Sequence, residues 1–166
     1  MIPDEYIEAF LRLFAAAALG ALLGLTRDVR GKPAGLRTMG LVALGSAIAA
    51  MTADSLFPAA HADAQSRVIQ GVIQGVLTGV GFIGAGAVLH KPDAPPKEGQ
   101  VRGLTTAAIV WVAAALGVAC GLGLWAPVVV GAIAAMVLIV VLHPLEKRVE
   151  KSADAHKSKQ PPGNDL

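Results

Sequence analysis

Five apolar runs, placed nearly end to end, constrain this chain more than any other feature. A hydrocarbon layer about 30 Å thick is crossed by roughly 20 residues of helix rising about 1.5 Å each. Runs of that order lie at residues 7–25, 36–53, 68–89, 104–122 and 124–142. With 54% of the 166 residues hydrophobic and 16% charged, a water-soluble domain of this length has too little polar surface. The predicted fold is an all-α membrane protein of about five transmembrane helices, spanning 1–145. A charged tail at 146–166, ending in Pro161, Pro162 and Gly163, is predicted to be disordered.

Charge placement then sets the orientation. The first run is preceded by Asp4, Glu5 and Glu8 and ends at arginines, with no small-residue cleavage site, so it reads as a retained helix. Of the 14 Lys and Arg residues, all but Arg12 and Arg67 lie at 26–35, 90–103 and 143–166 or, as Arg37, beside the first of these. Asp4, Glu5, Glu8, Asp54 and Asp63 lie on the opposite side. The positive-inside bias puts the amino terminus outside and the carboxy tail in the cytoplasm, with Tyr6, Phe57 and Trp125 near the outer boundary. Between the fourth and fifth runs stand only Gly121, Leu122 and Gly123, then Trp125 and Pro127; a tight hairpin is expected, because the two runs together are too long for one crossing.

The third run is a glycine-rich helix. At about 100° per residue, Gly71, Gly75, Gly79 and Gly86 share one arc and Gln70, Gln74, Thr78 and Gly81 the adjoining one, while Ile69, Val72, Ile73, Val76, Leu77, Val80 and Ile83 lie opposite. The expectation is that bulky residues face lipid or a peripheral helix, and that small and polar ones face the bundle. The spacing of Gly71, Gly75 and Gly79 allows close backbone approach, within the protomer or between protomers. Gly20 and Gly24 on the first helix, and Gly117 and Gly121 on the fourth, offer the same spacing. Gln70, Gln74 and Thr78 are read either as interhelical hydrogen-bonding groups or as the lining of a polar path. The string Gly81, Gly84, Gly86 imitates a nucleotide loop, but no strand or acidic partner accompanies it.

Chemistry-bearing residues are sparse. Cys120 is the single cysteine and lies in an apolar run, and His61, His90, His143 and His156 are scattered, so neither catalysis nor a bound cofactor or metal is expected. No carboxylate lies near the middle of a run, which disfavours a magnesium pathway, since that cation takes oxygen ligands. A net charge of +2 gives no reason to expect a nucleic-acid partner. On the cytoplasmic face Arg27, Asp28, Arg30, Lys32, Arg37 and Arg102 gather beside Thr38, Thr105 and Thr106. They read either as a lipid anchor for anionic headgroups, or as a specific network in which Asp28 pairs an arginine and two helix starts offer N–H groups to an anion or partner. Those starts echo each other, as Gly35-Leu36-Arg37-Thr38 and Gly103-Leu104-Thr105-Thr106, and fit a duplicated hairpin or a chance recurrence.

Taken in order, Gly24-Leu25, Arg27, Arg30, Ala34-Gly35-Leu36-Arg37-Thr38, Gly79-Val80-Gly81-Phe82-Ile83-Gly84-Ala85-Gly86 and Val101-Arg102-Gly103-Leu104-Thr105-Thr106-Ala107-Ala108 closely resemble the MgtC/SapB family of bacterial inner-membrane proteins. The resemblance covers about 19–123. It implies a multi-pass inner-membrane regulator associated with magnesium limitation, survival in phagocytes, acid resistance or restraint of the F-type ATP synthase. On that reading it acts as a homo-oligomer or with another membrane complex, and a small-solute transporter or channel is the alternative. Several members carry a soluble carboxy-terminal domain, which this sequence does not include. The family often has an acid where this chain has Thr26 and a His or Asn at Met39, and the repeated Val-Ile-Gln-Gly turn of the third helix is unusual.

The orientation has a direct test. In a Cys120→Ala background, an impermeant thiol reagent applied to intact cells should label Ala62→Cys and not Ser158→Cys; labelling of the second alone reverses the topology.

Overall fold

The computed structural model describes residues 3–29, 34–56, 62–89 and 103–140. Among these the chain forms five helices and no strand: α1 (Asp4–Asp28), α2 (Leu36–Ser55), α3 (Ala62–Leu89), α4 (Leu104–Gly121) and α5 (Trp125–Val140). The first four are long and apolar enough to span a membrane, and α5 is a shorter apolar helix. Two compact units divide the chain, Met1–Ala132 and Ile133–Leu166, and the described part of the second is the last turns of α5. The predicted end of the fifth run at Leu142 and the tail at 146–166 lie outside the described residues.

Local chemistry explains where the helices begin and end. α1 starts after Pro3, whose carbonyl accepts the Tyr6 N–H at 3.0 Å. Asp4 and Glu5 in its first turn and Arg27 in its last complement the helix dipole. α4 starts at Gly103, held in the left-handed region at φ 93°. A Cβ there would also overlap the Ala87 carbonyl oxygen and lie 3.0 Å from Val88 Cα, so conformation and space both require glycine. The turn into α5 closes as a left-handed helix cap: Gly123 has φ 68°, its N–H donates to the Cys120 carbonyl at 2.9 Å, and the Leu124 N–H donates to that of Ala119 at 2.9 Å. The sequence at Gly121, Leu122 and Gly123 therefore makes a turn between two helices.

The core is a seam of glycine and alanine with α2 in the middle. From α1, Gly20 lies on the Met39 carbonyl and Ala43, and Gly24 lies on Gly35 and Leu36; a Cβ on Gly24 would come to 2.6 Å from the Gly35 carbonyl oxygen. From α4, Gly117 lies on the backbone of Ala43 and Gly121 on that of Ala47. α2 answers with Met39, Ala43, Ala47 and Ala50, all buried. Lipid solvates apolar side chains well, so helix association here rests on dispersion between closely apposed backbones, which a missing Cβ permits. Toward the Gly121 end the seam widens into a cluster of Ala16, Ala47, Cys120 and Val128, flanked by Leu13 and Leu19.

α3 lies on the outside of this arrangement, and its orientation corrects the sequence expectation. Only 11% of its apolar span is buried, against 56% for α4. Its buried residues are Val80 and Gly84, and Gly84 meets Ala107 of α4. Ile69, Val72, Ile73, Val76 and Leu77 are half-buried on the same side. Gly71, Gly75, Gly79, Gly81 and Gly86 have nothing within 4 Å of an added Cβ, and Gln70, Gln74 and Thr78 are exposed. The bulky stripe therefore faces the bundle and the small, polar stripe faces away. The physical reason is coverage: α3 rests on a single side, and branched side chains gain more dispersion contact there than glycines.

The two kinds of glycine should separate in a stability measurement. In detergent or bicelles, Gly117→Ala and Gly20→Ala should destabilise by about 1–3 kcal/mol through overpacking against backbone. Gly75→Ala and Gly45→Ala, which meet open space, should be neutral or gain up to about 1 kcal/mol from helix propensity. Equal losses at all four positions would refute the seam.

Candidate functional site

Polar side chains collect at the two ends of the bundle. At the end where α1 finishes and α2 and α4 begin, Arg27 is 6% exposed and its Nη2 donates to Thr106 Oγ1 in the first turn of α4, itself 2% exposed. One turn of sequence is divided between two jobs, because the adjacent Asp28 points along the chain instead. Its Oδ2 accepts the Leu36 N–H at 2.8 Å, and its carboxylate fills the space a Gly35 side chain would need. A carboxylate at that position satisfies an N–H of the first turn of α2 and favours its positive dipole end.

These contacts revise the network read from sequence. In the specific-network reading Asp28 pairs an arginine; Arg30 and Arg102 lie outside the described residues, and among those described Asp28 caps α2. The anion-binding start expected at α2 is thus filled by the chain's own carboxylate. Arg37, Thr38 and Thr105 are exposed. The two Gly-Leu-x-Thr strings both start helices, yet Gly35 is extended at φ -88°, ψ -156° and Gly103 is left-handed. Thr38 is exposed where its counterpart Thr106 is buried, so the echo in sequence is not an echo in environment.

At the opposite end stands a cluster that sequence reading missed. Arg12 was counted only as a charge on the unexpected side, but its Nη1 donates to the Gly121 carbonyl at 3.0 Å and lies 3.9 Å from Asp54 Oδ2, while its Nη2 is paired with Glu8. The guanidinium thereby neutralises the carbonyl end of α4. A Cβ on Gly123 would stand 2.8 Å from Arg12 Cζ, so the guanidinium lies directly over this turn. Gln65 of α3 completes the cluster, its Nε2 donating to the Asp54 carbonyl at 2.9 Å and to Asp54 Oδ1 at 3.1 Å. The available signal was an arginine five residues inside an apolar run with Glu8 four residues before it.

The polar stripe of α3, Gln70, Gln74 and Thr78, joins neither end. It lies along the open face with Gly71, Gly75 and Gly79, so among the described residues it does not face the interior of the bundle. Phe82, 83% exposed, belongs to the same side. This face offers amides, a hydroxyl, an aromatic ring and bare backbone.

The model of the MgtC family matches residues 13–148. The chain is 42% identical over 128 residues to protein SrpB of Synechococcus elongatus, covering 73% of this chain and 67% of that one. It is 35% identical over 161 residues to protein MgtC of Salmonella typhimurium strain LT2, covering 95% and 62%, and 34% identical over 165 residues to an uncharacterized protein of Haemophilus influenzae, covering 95% and 64%. The chain thus spans about two thirds, or less, of the length of these relatives. No solved structure matches it.

The Arg27 contact should be measurable as coupling. Arg27→Leu and Thr106→Val should each destabilise the protein, and a double-mutant cycle should give an interaction of about 0.5–3 kcal/mol. Asp28→Ala should cost about 1 kcal/mol as a lost cap, with Asp28→Asn milder, and either should be additive with Arg37→Ala. Coupling between Asp28 and Arg37 would restore the network read from sequence.

Proposed function

The chain belongs to the MgtC family of membrane proteins, and on that footing we propose that it is a noncatalytic regulator in the bacterial inner membrane. It works in magnesium limitation, acid stress or membrane energetics by assembling with itself or with another membrane complex. The observation that carries this reading is the open face of α3. Gln70, Gln74 and Thr78 stand there, within a helix long and apolar enough to span a membrane. Hydrocarbon offers an amide no hydrogen-bond partner, so a polar row at that depth favours a second helix across it. The accompanying glycines let such a helix approach closely. A two-fold arrangement of the same face is self-complementary, since each glutamine amide both donates and accepts.

The rival reading, a small-solute transporter, draws on the same glutamines and places the path between copies, because they do not face the interior of one. Flux into proteoliposomes separates the two readings: uptake abolished by Gln74→Leu establishes transport.

For assembly, Förster transfer between labelled copies in liposomes is the measurement. Gly75→Leu should remove self-association without lowering protomer stability. Gln74→Leu should weaken it by about 0.6–1.7 kcal/mol, in the range of single interhelical hydrogen bonds. Phe10→Leu, an exposed aromatic on α1, should change nothing. Undiminished transfer in Gly75→Leu rejects self-assembly through α3, and co-purification of another membrane complex after gentle extraction then tests the second form of the proposal.

A further inference from the structure

α3 is held unevenly along its length. Its buried residues, Val80 and Gly84, both fall in its last turns, where Gly84 rests on Ala107. Over residues 62–79 no side chain is buried, and the apolar stripe there is half-covered. Near the far end one residue, Gln65, makes two hydrogen bonds to one residue of α2, at 2.9 Å to the Asp54 carbonyl and 3.1 Å to its Oδ1. The other oxygen of that carboxylate faces Arg12 at 3.9 Å, and Arg12 is itself fixed on the Gly121 carbonyl.

We propose that α3 is a hinged arm, seated on α4 at Val80 and Gly84 and held at its other end by a releasable catch, Gln65 on Asp54, with Arg12 keeping the acceptor in place. From Gln65 to Val80 is roughly 22 Å of helix at about 1.5 Å per residue, so a small rotation at the seat moves the catch end far. Gly79, Gly81 and Gly86 flank the seat with open space about them, and glycines are where a helix bends most readily. The catch consists of two bonds from one neutral amide, one to a carbonyl and one to a carboxylate, few enough to exchange between closed and released states. α1, α2 and α4 share the glycine seam and do not depend on the catch. The inference stands apart from the assembly reading, since it concerns contacts within one protomer.

Distance measurement between paired spin labels tests it, on the full chain with Cys120→Ala in phosphatidylcholine–phosphatidylglycerol vesicles. One pair, Thr52→Cys with Ser66→Cys, reports the catch end; the other, Leu41→Cys with Ala85→Cys, reports the seat. Gln65→Leu should raise the ratio of longer to shorter catch-end distances roughly tenfold, as expected for the loss of two hydrogen bonds, and leave the seat pair unchanged. Gln65→Asn, one methylene shorter, gives the same reading should the leucine variant not insert. Catch-end distances indifferent to both substitutions overturn the catch; equal broadening of both pairs overturns the hinge.

Discussion

Backbone against backbone is the contact on which this bundle depends. At Gly20 and Gly24 of α1 and at Gly117 and Gly121 of α4 the missing Cβ lets each helix lie directly on α2, and Ala43 is pressed from both sides. In water such a core would bury too little apolar surface to hold a fold. In lipid the comparison differs, because a leucine gains little by leaving hydrocarbon for protein, and the number of atoms brought within dispersion range decides the matter. That accounts for a buried set in which alanine and glycine outnumber leucine, with Leu22, Leu41 and Phe14 turned outward.

Once the seam is made, the polar ends follow from it. Pressing α1 and α4 on the same helix brings Arg27 against Thr106 at one end and Arg12 against the Gly121 carbonyl at the other. Each arginine sits where it meets a helix terminus, yet the two situations differ. Arg12 faces carbonyls and carboxylates, an arrangement that is electrostatically favourable. Arg27 reaches the amino-terminal turn of α4, where the hydroxyl of Thr106 supplies the acceptor. Arg12, Arg27 and Asp28 thus each hold a structural contact, which argues against treating Arg27 and Asp28 as lipid anchorage alone.

The third helix is the exception to the seam. It carries more glycines than its neighbours, and among the described residues Gly84 is the one glycine of α3 whose added Cβ would meet a neighbour. Its remaining small residues, with their glutamines, lie on the surface that a membrane tolerates least well without a partner. The family model covers most of the chain, and the assembly proposed above rests on this open face.

Much of the fold was legible in residue order alone. The five apolar runs, the turn at Gly121 to Gly123, and helix starts at Leu36 and Leu104 follow from run length and from backbone chemistry local to a few residues. Pairing of Arg12 with Asp54, the capping role of Asp28 and the burial of Thr106 but not Thr38 were not legible, because each depends on residues far apart in sequence. Helical phase revealed that α3 has a bulky face and a small, polar one. Which of them turns inward was decided only by the tertiary structure, since lipid accepts a bulky face, a neighbouring helix accepts either, and the choice rests on which stripe gains more dispersion contact on the one side where α3 is covered.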